Sequence, residues 1–220
     1  MNFKYLLFDL DGTLTEPFEG ITKSVSYALA SCGIEENDLE NLKKFIGPPL
    51  VDAFMEYYGF DETKAKYALE KYRERFSRVG WMENKVYPGI PELLSDLKND
   101  GRILVIATSK PEFFTQNIIN HFDLTKYFDS VVGATMDEKR NTKAEIIKEI
   151  FDRFKLYGKE NEVIMIGDRK HDIFGAKAFN IKSAGVRWGY ADDGELEAAG
   201  ADYIFNNIDE LRNFLFSKKF

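Results

Sequence analysis

The sequence predicts a doubly wound α/β fold with a mostly parallel sheet and an inserted all-helical domain. Three observations predict it. A short apolar run, Tyr5-Leu6-Leu7-Phe8, ends in Asp9-Leu10-Asp11-Gly12, as a buried strand ends in a turn. From Tyr87-Pro88-Gly89 onward, short apolar runs alternate with helical stretches, the pattern of parallel strands joined by helices. Between these two regions, residues from about 17 to 84 show helical spacing only.

In chain order, the first strand is followed by Ile21, Val25, Ala28 and Leu29 at helical spacing, with Gly33 as a stop. Helical spacing continues through Leu39 to Ile46, Leu50 to Tyr58 and Thr63 to Phe76, punctuated by Gly47-Pro48-Pro49 and Gly59. The aromatic residues Phe54, Tyr57, Tyr58, Tyr67 and Tyr72 are expected to form the core of this helical insertion. Strands are then expected at Ile103 to Ala107, Ser130 to Gly133, Val163 to Ile166, Ser183 to Val186 and Tyr203 to Phe205. Helices near 91–99, 111–121, 142–154, 171–179 and 208–216 separate them. The expected organisation is a discontinuous Rossmann-like core of residues 1–16 with 86–220, carrying the catalytic groups, and a helical cap of residues 17–85. Because ligands bind at the carboxyl ends of parallel strands, a cap inserted there is expected to cover the site.

Bulk properties narrow the function classes. The chain has 220 residues, 44% of them hydrophobic, enough for one α/β domain with an insertion. A net charge of −7 with scattered Lys and Arg argues against nucleic acid or an anionic membrane as partner. The single cysteine, Cys32, cannot form an internal disulfide, which fits a reducing compartment. No apolar run is long enough for a membrane span or a signal-peptide core. A cytoplasmic protein is expected, monomeric or homodimeric.

The first strand delivers carboxylates where apolar residues are expected. Asp9 and Asp11 are two apart, so an extended chain lets them converge on one small volume. Two such charges need a bound cation or a retained proton. A magnesium ion would hold Asp9 ionised as a nucleophile, and Asp11 could serve as general acid. A plain Asp-Gly turn explains the same residues. Further along, Thr108 and Ser109 follow a strand, where hydroxyls and backbone N–H groups can cradle an anion or cap the next helix. Lys143 stands at a helix start, opposed by the helix dipole, and so gains nothing there locally. Val163-Ile164-Met165-Ile166-Gly167-Asp168 is a second apolar strand ending in an acid, with Asp172 four residues on. Asp168 could join Asp9 and the backbone carbonyl of Asp11 around magnesium, with Asp172 ligating through water or orienting Lys143.

Taken together, Asp9-Leu10-Asp11-Gly12-Thr13, Thr108, Lys143 and Gly167-Asp168 with Asp172 resemble, in type and order, the motifs of the haloacid dehalogenase superfamily. The resemblance spans nearly the whole chain. It implies a magnesium-dependent phosphomonoesterase acting on a small phosphorylated metabolite, such as phosphoglycolate, a nucleoside monophosphate or a sugar phosphate. Asp9 would form an aspartyl-phosphate, Asp11 would be the general acid and base, and Thr108, Ser109 and Lys143 would bind the phosphoryl group. Asp9, Asp11, Asp168 and Asp172 would hold Mg2+. Dehalogenation is disfavoured, since those members lack an acid at the position of Asp11. The mutase branch carries a histidine where Ile21 stands, which disfavours mutase activity; the alternatives are a phosphotransferase or sugar-phosphate mutase of the same superfamily, or a non-catalytic metabolite sensor. Phe45-Ile46-Gly47-Pro48-Pro49-Leu50 is similar to the cap loop of phosphoglycolate-phosphatase-like members. Glu16-Pro17 departs from the family pattern at the cap hinge. Arg187 is expected to be the residue of its loop that touches substrate, Trp188 to pack, and Asp192-Asp193-Gly194-Glu195 to be a solvated loop and helix start.

Overall fold

A computed structural model describes residues 3–137 and 139–217. The chain folds as two compact units, Met1–Thr15 with Val86–Phe220 and Glu16–Lys85. Two-residue strands, β2 (Thr15–Glu16) and β3 (Lys85–Val86), mark the points where the chain passes from one unit to the other.

The larger unit is built on a six-stranded sheet. Its strands are β1 (Tyr5–Phe8), β4 (Ile103–Pro111), β5 (Ser130–Ala134), β6 (Val163–Gly167), β7 (Lys182–Val186) and β8 (Tyr203–Phe205), in the spatial order β5-β4-β1-β6-β7-β8. All pairs are parallel, with Leu7 opposite Val105 on one side and Met165 on the other. The helices are α4 (Ile90–Asn99), α5 (Glu112–His121), α6 (Lys143–Phe154), α7 (Lys170–Ala178), α8 (Glu195–Ala199) and α9 (Ile208–Phe216). Strands added after β1 lie first to one side of it and then to the other. The order therefore reverses at β1, and the crevice of such a switch point opens at the end of that strand, where Asp9 follows.

Every residue of β1 and β6 is buried, because helices cover both faces of a parallel sheet. Alternation then assigns the faces. Tyr5, Leu7, Val105 and Met165 pack against Ile146, Ile150 and Phe151 of α6 and Ala176 of α7. Asp9 has the parity of Tyr5 and Leu7, so it emerges on the side where α6 begins.

β4 is longer than its apolar run suggests. It continues through Thr108-Ser109-Lys110 to Pro111, but its register with β5 shifts between Ala107 and Pro111. Thr108 and Lys110, two residues apart, share one face of the strand, and both are buried. Neither Thr108 nor Ser109 caps α5, whose N-cap is Pro111. The short helix α8 begins at Glu195, where the acidic run was expected to start a helix.

The smaller unit contains α1 (Phe18–Ser31), a 3₁₀ turn at Leu39–Phe45, α2 (Leu50–Tyr58), α3 (Glu62–Arg75) and a π-helical turn at Phe76–Gly80. α1 and the π turn approach so closely that a Cβ on Gly20 would lie 2.0 Å from the Gly80 carbonyl oxygen. Phe45 forms ring contacts with Phe54, Tyr57 and Tyr58, and Tyr72 stacks on Phe76. Tyr67, expected in this core, is instead exposed, because its position on α3 faces solvent. Among the described residues no helix is long and apolar enough to cross a membrane.

Candidate active site

Four acids and two lysines, all buried, meet beyond the carboxyl ends of β1, β4 and β6. Each is placed by a local device. The turn after β1 is fixed by the Leu10 carbonyl, which accepts N–H bonds from Thr13, Leu14 and Thr15, while Gly12 takes φ +82°. A side chain there would also collide with Asp168, whose carboxylate oxygen lies 2.2 Å from an ideal Cβ on Gly12. Glycine is thus required twice over.

Lys143 opens α6, whose start is locked by a capping box. Thr142 Oγ1 accepts the Glu145 N–H, and Glu145 Oε2 accepts the Thr142 N–H at 3.0 Å. From there Lys143 Nζ lies 3.0 Å from Asp9 Oδ1 and 2.7 Å from Asp172 Oδ1, and donates to the Ala107 carbonyl at 2.8 Å. The Asp172 contact is an ion pair without hydrogen-bond geometry, since Oδ1 has no hydrogen-bond partner. Asp172 Oδ2 accepts the Arg169 N–H at 3.1 Å and so closes the first turn of α7. A Cβ on Gly167 would fall 2.1 Å from Asp172 Cγ, and one on Gly175 would fall 2.7 Å from Lys143 Cγ. Both glycines let α7 approach.

Asp168 lies between two backbones. It accepts from Thr13 Oγ1 at 3.2 Å and from the Tyr190 N–H at 2.8 Å. A Cβ on Gly189 would come within 2.3 Å of its carboxylate and 2.4 Å of the Gly12 carbonyl. Asp9, Asp168 and Asp172 can place one carboxylate oxygen each within 4.8 Å of one another.

The electrostatics follow from burial. Asp168 is held well above the ordinary carboxylate range by burial and then by the charges of Asp9 and Asp172. Burial likewise raises Asp172, to about 6, against the opposing pull of Lys143. Burial alone would lower Lys143, but Asp172 and Asp9 outweigh it and keep the ammonium ion charged. Burial raises Asp11 more than its ion pair with Lys110 lowers it. Four carboxyl groups share two ammonium groups, so full ionisation of the acids would leave the cluster negatively charged.

The structure brings together Asp9, Asp11, Thr108, Lys143, Asp168 and Asp172, and leaves Ser109 half-buried beside them. The Asp11 side chain is not among the three converging carboxylates; its Oδ2 accepts from Lys110 Nζ at 2.5 Å instead. Lys110 was not anticipated, because a lysine before a proline carries no signal of burial. Glu195, expected in a solvated loop and helix start, does start a helix but is half-buried and paired. It accepts from Arg169 Nε and Nη2 at 3.0 and 3.2 Å and from the Lys170 N–H at 2.7 Å. Arg187 pairs at the surface with Glu197 of α8, and Trp188 Nε1 donates to the Thr13 carbonyl at 3.1 Å.

Comparison with known proteins agrees with this geometry. The family model of haloacid dehalogenase-like hydrolases matches residues 6–186. The chain is 44% identical to a 5'-nucleotidase of Pseudomonas aeruginosa, over 98% of this chain and 96% of that one. It is 34% identical to the tyrosine-protein kinase PtkA of Mycobacterium tuberculosis, over 96% and 72% of the two chains. A crystal structure of a predicted phosphatase from Clostridium acetobutylicum superposes with a TM-score of 0.94 at 48% identity, covering 98% of this chain and 99% of that one. The chain belongs to the haloacid dehalogenase-like hydrolases and is a phosphatase of that family.

Proposed function

We propose that the protein is a magnesium-dependent phosphomonoesterase for small phosphorylated metabolites, 5'-nucleotides foremost, working through an aspartyl-phosphate on Asp9. The observation that carries the reading is the division of labour between two buried acids. Asp9 is paired with Lys143 and backed by Asp168 and Asp172, whereas Asp11 stands apart on a lysine of its own.

The residues present fit magnesium. All the donors are oxygens, as a hard cation requires, and the three converging carboxylates outnumber the one ammonium group, Lys143, that faces them. Asp9, Asp168, Asp172 and the Asp11 carbonyl would hold it, and it would supply charge neutralisation at the phosphoryl oxygens. The remaining chemistry falls to side chains. Asp9 attacks phosphorus as the ester oxygen departs, and Asp11 donates a proton to that oxygen. Lys143, Thr108 and the N–H groups near Leu10 and Ser109 offset charge on the transferring group. Asp11 then takes a proton from water as water displaces Asp9 from phosphorus.

The choice of 5'-nucleotides rests on the name of the 44% identical relative. Transfer to an acceptor other than water is the second reading, favoured by the relative named as a tyrosine-protein kinase. Phosphate release from a panel of 5'-nucleotides, phosphoglycolate and sugar phosphates, with and without magnesium, tests both. Magnesium-dependent release, greatest with a 5'-nucleotide and lost in Asp9→Asn, is expected. Consumption of substrate without free phosphate would instead establish transfer.

A further inference from the structure

Lys110 takes part in none of the steps above, yet it is buried and fully committed to the site. Its ammonium group lies 2.5 Å from Asp11 Oδ2, across a sequence separation of 99 residues, and both side chains are almost fully buried. Burying a lysine is costly unless it is paired and hydrogen-bonded, and Lys110 is buried on the strand face it shares with Thr108. The backbone of Asp11 is already fixed by the turn that Leu10 organises, and Asp11 forms a bridge with Thr15. Only side-chain rotation is left to set where its carboxyl group points. Lys110 holds one oxygen. The other, Oδ1, is buried and has no hydrogen-bond partner among the described residues. A buried polar atom without a partner is uncommon and calls for an explanation.

We propose that Lys110 is a positioning residue for the general acid: it holds Asp11 by Oδ2, so that Oδ1 alone is presented to the leaving oxygen and afterwards to water. The inference rests on the reading of Asp11 as general acid. In the first step the bond from phosphorus to the ester oxygen breaks and the bond to Asp9 forms, while the proton on Asp11 Oδ1 passes to the departing alcohol. In the second, water forms a bond to phosphorus, Asp9 is released, and the water proton returns to Oδ1. Lys110 keeps its protons throughout, its role being geometric. The second buried lysine, Lys143, serves Asp9 and Asp172 and cannot substitute for it.

The test compares two leaving groups in the full-length protein with magnesium. A 5'-nucleotide leaves as an alkoxide that needs a proton; 4-nitrophenyl phosphate leaves as a stable phenolate that does not. The value of kcat/KM reports only the first half-reaction, before water is needed. In Lys110→Met, kcat/KM for the nucleotide is expected to fall about 10- to 100-fold, as for a misplaced catalytic group, and that for the aryl ester less than about 3-fold. Lys110→Gln, which keeps a hydrogen-bond donor, should fold if the methionine variant does not and should show the same discrimination to a smaller degree. Equal loss on both substrates, or no loss on either, would overturn the proposal in favour of a purely structural lysine. Asp11→Asn is the control: if it fails to discriminate the two esters, the general-acid reading itself is wrong. If it discriminates and neither Lys110 variant does, only the positioning role falls.

Discussion

Removing magnesium should make stability depend on pH with an unusual sign. Asp172 is raised from 3.8 to about 6, and at 1.36 kcal/mol per pH unit this amounts to about 3 kcal/mol of destabilisation once it is ionised. Between those two values the native state binds more protons than the unfolded chain, so stability is full below the lower value and falls as pH rises through the upper one. From about pH 5 to about pH 7.5 the loss from this group is on the order of 1 kcal/mol, or a few °C in Tm for a chain of this size. Asp168 and Asp11 shift in the same direction and add to it, while His171, lowered by burial and by Arg169, opposes it. Any magnesium that keeps Asp172 ionised must displace its proton. A concentration 100-fold above Kd at about pH 7.5 gives about 2.7 kcal/mol of stabilisation, and the same concentration at about pH 5 gives less, because a proton must then be displaced. Differential scanning calorimetry in chelator and in magnesium at both pH values measures the difference directly. A magnesium-induced rise in Tm that is equal at the two pH values, or larger at the lower, would refute the assignment of these acids to the metal.

Three substitutions examine other parts of the site. Gly189→Ala would place a methyl group 2.3 Å from the Asp168 carboxylate and 2.4 Å from the Gly12 carbonyl, so calorimetric titration should show magnesium affinity reduced about tenfold or more with the circular dichroism unchanged. Unaltered affinity would remove Asp168 from the metal site. Glu195→Gln removes the carboxylate that the buried Arg169 hydrogen-bonds and should cost about 1 to 3 kcal/mol by urea denaturation; a midpoint equal to that of the parent would mean the pair is screened by solvent. Lys143→Met deprives Asp9 and Asp172 of their shared cation and should lower kcat/KM for 4-nitrophenyl phosphate about 10²- to 10³-fold, whereas a loss under tenfold would leave Lys143 a structural counter-ion only.

What the sequence reveals of this site depends on how local each cause is. β1 and β6 are legible because both faces of a parallel sheet are covered, which leaves uninterrupted apolar runs, and an acid at the end of such a run stands out. Lys143 is only half legible. Its position against the helix dipole marks it, but its partners are chosen by α6 packing on the face that Asp9 shares, more than a hundred residues away in sequence. Lys110 is hidden, since the partner that makes its burial possible, Asp11, lies 99 residues away in sequence. Glu195 misleads for a related reason: it sits in an acidic, glycine-containing run that reads as solvated, and only its buried arginine partner from α7 reveals otherwise. Gly189 shows nothing in sequence, because what demands a glycine is the carboxylate of Asp168 folded against it.

The central claim is that Asp9 carries the phosphoryl group, and trapping that group tests it most directly. Protein quenched during turnover of a 5'-nucleotide with magnesium, then treated with borohydride, should yield homoserine at position 9 by peptide mass spectrometry. The conversion should require substrate and vanish in Asp9→Asn. Turnover without any modification at position 9, or homoserine at position 11 instead, would contradict the account.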